Sequence, residues 1–277
     1  MLAAIVLAFR EGLEAALIVG IVIGYLDKTG RSGQKRLAWA GVAAAVALSA
    51  LLAAGLTVVG GELKGQAEQI FEGATMLLAV LMLTGMIFWM RLQARHLKSS
   101  LERELSAAAA SGQRLALFGV AFIAVFREGV ETALFLTASA FAANGLGTLL
   151  GALLGLSAAA LVGWLLYAST LRLNLRAFFN LTSLLLLFFA AGLFSHAVHE
   201  FQEAGLLPLL GGPLWDLSSI LNESSLLGEL LRALFGYTSA PTLLEVVGYA
   251  VYWVLALVGG RWWVAWRSVR LSPAVAV

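Results

Sequence analysis

Nine residues, Phe9-Arg10-Glu11-Gly12-Leu13-Glu14-Ala15-Ala16-Leu17, return 117 positions later as Phe126-Arg127-Glu128-Gly129-Val130-Glu131-Thr132-Ala133-Leu134. Each copy places one Arg and two Glu inside an apolar run long enough to cross a membrane. A charge at mid-bilayer costs roughly 2.5–3.5 kcal/mol on insertion scales, so six of them would cost on the order of 15–20 kcal/mol if unpaired. At about 3.6 residues per turn, positions i, i+3 and i+4 share a helix face. Glu11 and Glu14 therefore project together and Arg10 can meet Glu14, a pattern that Glu128, Glu131 and Arg127 repeat. Two structural ion pairs would use the same residues, but Leu packs such positions at lower cost than a buried ion pair does. Duplication of the whole constellation favours chemistry.

Fully ionised, the four carboxylates and two guanidinium groups carry a net charge of −2, which a divalent ion would neutralise and a ferric ion would take to +1. Oxygen ligands without thiolates suit hard cations such as Mg, Ca, Mn and ferric iron better than copper(I). Residue types and spacing thus give a hard-cation pathway without naming the metal. A second candidate is the stretch from His196 to Gly205, in which His196, His199, Glu200 and Glu203 fall at i, i+3, i+4 and i+7 on one helix face. Glu72 is expected at a similar depth, making this stripe a possible outer access site for metal, although interfacial His residues are also common as structural groups.

The elements that must position these residues are membrane helices. Of 277 residues, 61% are hydrophobic and 12% charged, more apolar surface than a water-soluble chain of this length could bury in one core. Cys is absent, which excludes disulfides, thiolate metal sites and covalent c-type haem attachment. No Lys or Arg precedes the first apolar run and charges interrupt it, so it reads as a first span rather than a cleaved signal peptide.

At about 20 residues per span, helices are expected near 2–26, 36–60, 70–91, 115–142, 146–170, 178–200 and 243–263. Lys28, Arg31, Lys35 and Arg36 follow the first; Arg91, Arg95, Lys98, Arg103 and Arg114 follow the third. Arg172 and Arg176 follow the fifth, and Arg261, Arg267 and Arg270 the seventh, whereas the opposite loops hold mainly Glu and Asp. The positive-inside rule then puts the N-terminus outside and the C-terminus in the cytoplasm.

The expected fold is an all-α integral membrane protein of seven transmembrane helices, a 3+3 inverted repeat plus one. Repeat one covers about 1–91, a cytoplasmic linker about 92–114, repeat two about 115–200, an outer loop about 201–242 and the seventh helix about 243–263. Small residues at i+4 spacing, Gly41, Ala45, Ser49, Ala53, Thr57 and Gly61 in one span and Gly147, Gly151, Gly155, Ala159 and Gly163 in another, allow close backbone approach between the halves. The segment from Arg91 to Arg114 reads as a surface helix serving mainly as a solvated linker. The outer loop suits short interfacial helices, and Trp39, Trp89, Trp262, Trp263 and Trp266 fall where an aromatic belt would lie.

Arg-Glu-Gly-Leu-Glu in the first span and Arg-Glu-x-x-Glu in the fourth resemble the paired signatures of the oxidase-dependent iron permease family, which has bacterial and fungal members. The resemblance extends over essentially the whole chain, through Phe71-Glu72-Gly73, Ala190-Ala191-Gly192-Leu193, His199 to Gly205 and Phe235-Gly236-Tyr237. Within the motif only Val130 departs from the Leu of the first copy, leaving every carboxylate in place. The resemblance implies iron uptake across the cytoplasmic membrane, with Glu11, Glu14, Glu128 and Glu131 as metal ligands and Arg10 and Arg127 as charge-balancing groups. Iron would be substrate, no permanently bound cofactor is expected, and an extracytoplasmic oxidase or iron-binding protein would deliver it, ferric or ferrous. Beyond that partner and the lipid bilayer, no nucleic acid is expected. Some relatives carry an extracytoplasmic N-terminal domain, whereas this sequence opens on the first span. Uptake of lead or manganese on the same scaffold is the alternative. A redox protein with His196 and His199 as haem ligands fits poorly, because an i, i+3 pair cannot easily reach both faces of one haem and His96 lies on the other side.

Overall fold

The computed structural model describes residues 1–93, 97–110, 114–143, 145–168, 175–222 and 225–270. Arg95, His96, Arg172 and Glu223 lie outside the described residues, as do the side chains of Arg91, Lys98, Arg114, Arg176, Glu229, Arg261, Trp262, Trp263, Trp266, Arg267 and Arg270. The described residues form helices α1 (Leu2–Lys28), α2 (Lys35–Glu62), α3 (Gln66–Gln93), α4 (Leu97–Ala110), α5 (Arg114–Ala142), α6 (Gly145–Ala168), α7 (Leu175–Glu203), α8 (Leu226–Phe235) and α9 (Leu243–Arg270), with no strand among them.

Five of these, α2, α3, α6, α7 and α9, contain stretches long and apolar enough to cross a membrane. The helices α1 and α5 have 27 and 29 residues, ample length, but each carries an Arg and two Glu in its interior. The packing is that of a protein in lipid. In α6 the buried side is Thr148, Gly151, Ala152, Gly155 and Ala159, whereas Leu146, Leu150, Leu154, Leu161 and Trp164 point outward. Lipid tails are as apolar as Leu, so helices associate through small residues that let backbones approach.

The first three helices and α5–α7 make the same contacts in exchange. The most extensive pairings are α1 with α6 and α2 with α5, followed by α3 with α7. Gly151 packs on Met1, Ala4 and Ile5, Gly155 on Ile5, Ala8 and Phe9, and Gly163 on Ala16, so α1 and α6 run parallel. On the other side Gly41 packs on Phe118, Ala121 and Phe122, and Gly129 on Ser49, making α2 and α5 parallel too. The expected stripes are therefore used, each against the motif helix of the other half. Gly61 is the exception: it faces open space, and Gly60 meets Phe141 and Phe71 instead.

Two apolar clusters hold the bundle. One joins Ala3 and Leu7 to Leu134, Phe135 and Ala138 with α3, α7 and α9. The other joins Ile18, Val22 and Leu26 to Leu117, Ala121 and Val125. Because the start of α1 meets the end of α5 and the reverse, the two helices cross antiparallel. The α4 segment is more than a solvated linker, since Leu101 and Leu105 are buried in the second cluster. Between α7 and α9 lies a short helix, α8, capped by the Ser225 hydroxyl accepting from Gly228 N–H and ended by Gly236 at φ 68°. Gly236 rests on Gly192 so closely that a Cβ on either would strike backbone.

Candidate metal centre

The two copies of the motif meet where α1 and α5 cross, between the apolar clusters. Glu11, Glu128 and Glu131 each offer a carboxylate oxygen, and these atoms lie within 4.8 Å of one another. Oxygens on opposite sides of one hard cation stand about 4–5 Å apart, twice the ligand distance, so the group is spaced to share an ion. All four motif glutamates are buried or nearly so, yet Glu11 Oε2, Glu14 Oε1 and Glu131 Oε2 accept no hydrogen bond. A buried acceptor left unsatisfied costs about 1–3 kcal/mol and more when charged; a cation among these oxygens would remove that cost. The sequence predicted four carboxylates acting together. The structure joins three, and Glu14 stands outside the tight group.

The two motif arginines border the glutamates. Arg10 is completely buried: Nη1 is 2.7 Å from Glu11 Oε1 and Nη2 is 3.2 Å from Glu14 Oε1. The same guanidinium reaches the thioethers of Met86 at 3.4 Å and Met90 at 2.8 Å. Arg127 holds Glu128 at 2.6 Å and reaches Glu131 only at 3.9 Å, with its side chain 47% exposed. Its guanidinium lies over the ring of Trp89, 5.1 Å from the centroid. Trp89, expected in an aromatic belt, thus also makes a cation-π contact. The i, i+4 pairs form as predicted, but the adjacent Glu is the closer partner in each copy.

A cavity of about 530 Å³ between α1, α2, α5 and α6 ends on Glu11 and Glu128. Its other end lies at Thr57, Ala140, Gly145 and Thr148, where α2 and α5 finish and α6 begins. The walls are mostly Ala and Leu, with Ser49, Thr132 and Thr137 as hydroxyls along the way. Gly12 and Gly129 line it beside the glutamates, and a Cβ at Gly12 would come within 2.9 Å of that of Ala159.

The stripe from His196 to Glu203 divides. His199 Nε2 lies 3.2 Å from Glu203 Oε1, and its Nδ1 lies 2.9 Å from Glu245 Oε1. Glu72 is within electrostatic reach of Glu68, Glu200 and Glu203, and Gln69 donates to Glu203 at 3.1 Å. His196 is engaged elsewhere, with Nδ1 at 3.0 Å from the Gly192 carbonyl and the ring lining a small pocket beside Arg232. Among the described residues these side chains do not converge as tightly as the three glutamates do. Glu245 was missed from the sequence. Thr242-Leu243-Leu244-Glu245 has the spacing of a helix-start capping box, which would have placed it at the head of α9 without revealing His199 as its partner.

At the other end of α1, Lys35 Nζ sits 2.6 Å from Asp27 Oδ1, and that ammonium holds the Asp27 carboxyl below its ordinary value.

The profile of the Iron permease FTR1 family matches residues 1–271. The chain belongs to that family. Ferrous iron permease EfeU of Escherichia coli O6:K15:H31 (strain 536 / UPEC) is 42% identical over 251 residues, covering 90% of this chain and 91% of that protein. The proteins of that name from Shigella sonnei (strain Ss046), at 42%, and Yersinia pestis, at 41% over 252 residues, cover about as much. No solved structure matches. The chain is thus a multi-pass membrane permease, a transporter rather than an enzyme.

Proposed function

We propose that this permease takes up iron across the cytoplasmic membrane through a site formed by Glu11, Glu14, Glu128 and Glu131, with Arg10 and Arg127 offsetting its charge between ions. The observation that carries the reading is the group of three glutamates whose oxygens lie within 4.8 Å of one another, Glu11 and Glu131 with an unsatisfied buried oxygen and Glu11 and Glu128 lining the cavity. Iron follows from the family and from relatives named as iron permeases. Glu14 joins the other three once an arriving cation draws it from Arg10.

The architecture proposed is seven spans with an inverted 3+3 repeat, N-terminus outside. Its support is the exchanged pairing of the two halves and the antiparallel crossing of α1 and α5. The cavity then opens outward. Glu72, His199, Glu200 and Glu203 form an outer access site, with His196 adjoining, where water makes each ligand partly replaceable.

The relatives' name specifies ferrous iron. The form handed to the carboxylates is, in our reading, ferric, because an all-oxygen cluster favours the harder ion. Free ferric iron is nearly insoluble at neutral pH, so an extracytoplasmic oxidase or iron-binding protein passes it on directly. The chain has no Cys for a blue-copper site of its own. The exposed Asp216, whose carboxyl is lowered by its hydrogen bonds with Ser218, is the acidic group we assign to docking, with Glu223 and Glu229 joining it by their place in the same stretch of sequence.

The test is uptake of radioactive iron by cells expressing each Glu→Ala variant at equal membrane abundance, with loss expected for all four. Near-normal uptake by Glu11→Ala or Glu128→Ala would leave the carboxylates as structural ion pairs. In proteoliposomes the permease alone should take up ferrous iron poorly and the partner should raise uptake severalfold, less so after joint neutralisation of Asp216, Glu223 and Glu229. Robust anaerobic ferrous transport without a partner would overturn the hand-over and leave the site standing.

A further inference from the structure

Matching motifs place Arg10 and Arg127 in equivalent positions, yet both side chains end on the same short stretch of α3. Arg10 reaches Met86 and Met90, and Arg127 lies over Trp89. Positions 86, 89 and 90 are i, i+3 and i+4, one helix face. That face stands across the α1–α5 crossing from the cavity, which α3 does not line. Its three partners are uncharged. A thioether is a weak acceptor, and an aromatic face attracts a cation without neutralising it.

This matters for a site that must exchange a tethered cation for a mobile one. An arginine held by glutamates alone would become an unpaired buried charge as soon as cargo took those glutamates, and that penalty would oppose cargo binding. An arginine that also has a neutral resting place loses less. Arg10 has two carboxylates on one side and two thioethers on the other, with Nε unsatisfied. Arg127 has one close carboxylate and one ring.

We propose that Met86, Trp89 and Met90 are positioning residues for transport: they hold the two motif arginines when cargo displaces them from the glutamates, and so set the affinity of the site. This rests on the iron reading above. Removing the resting place should weaken cargo binding without removing a ligand, so the half-saturation concentration rises while the maximal rate changes little. For Trp89→Leu the rise should be about two- to five-fold, the range of a partly exposed cation-π contact. Trp89→Phe retains an aromatic face and should recover most of the affinity. Met86→Leu/Met90→Leu conserves volume and removes both sulfurs, and should also raise the half-saturation.

The experiment is the iron concentration dependence of uptake by the full-length wild type, Trp89→Leu, Trp89→Phe and the double Met variant, each normalised to protein in the membrane. The expected order of half-saturation is wild type, then Phe, then Leu, with the double Met variant also raised. Trp89→Leu and the double Met variant both matching wild type would overturn the proposal. So would equal loss in the Phe and Leu variants, which marks Trp89 as packing. Absence of iron uptake by the wild-type protein would instead defeat the iron reading and the proposal with it.

Discussion

Glu11→Ala and Glu128→Ala remove equivalent residues of the repeat, and the structure predicts unequal consequences for stability. Each variant takes one carboxylate from the same group of three, so relief of repulsion among the glutamates is common to both. What differs is the cation left behind. Arg10 is 0% exposed and would lose its 2.7 Å partner, keeping Glu14 and two thioethers. Breaking a buried pair by removing one partner costs about 3–5 kcal/mol. Arg127 has a side chain 47% exposed and keeps Trp89, so its loss is that of a partly exposed pair, about 1 kcal/mol. At roughly 2–4 °C per kcal/mol for a chain of this size, Glu11→Ala should melt about 6–20 °C lower than wild type and Glu128→Ala only about 2–4 °C lower. Thermal unfolding of the purified, metal-free proteins in one detergent measures both. Equal shifts, or a larger one for Glu128→Ala, would refute the argument that burial of the arginine controls the cost.

The packing of α6 on α1 gives a second expectation. A Cβ at Gly155 would lie 2.5 Å from the Ile5 carbonyl and 2.9 Å from Phe9 N, so Gly155→Ala should destabilise by about 1–3 kcal/mol and impair uptake, whereas Gly24→Ala, with open space around it, should do neither. At the head of α9, Glu245→Gln removes the carboxylate that fixes His199 Nδ1 and should raise the half-saturation for iron before it lowers the maximal rate; unchanged concentration dependence would make that pair purely structural. The Asp27 carboxyl is lowered by Lys35, so their contact stabilises the fold above the ordinary carboxylate range and is lost as pH falls through the lowered value. Melting curves of wild type and Asp27→Asn should therefore differ at neutral pH and converge in acid.

The motif residues were legible because charge inside an apolar run is expensive and the i, i+3, i+4 rule fixes which side chains share a face. The small-residue stripes were legible for the same reason of periodicity, and Gly41, Ser49, Gly151 and Gly155 do carry the helix contacts. Which stripe meets which helix was not, because spacing within one helix says nothing about its partner. The unequal arginines were invisible: two nearly identical nonapeptides cannot encode a difference that arises from α3 lying beside both. Nothing in the sequence singles out Met86 and Met90, and Trp89 reads as a belt residue, since a thioether or ring becomes a cation's partner only through a contact distant in sequence. Glu14 was grouped with the other glutamates by its spacing, but it stands outside the group of three whose oxygens lie within 4.8 Å of one another.

The most direct test of the central claim is anomalous scattering at the iron edge from crystals of the protein soaked in iron. The account predicts a peak within ligand distance of Glu11, Glu128 and Glu131, with Glu14 turned toward it and Arg10 withdrawn toward Met86 and Met90. A peak confined to the face of Glu72, His199 and Glu203, with the motif glutamates still paired to their arginines, would contradict it.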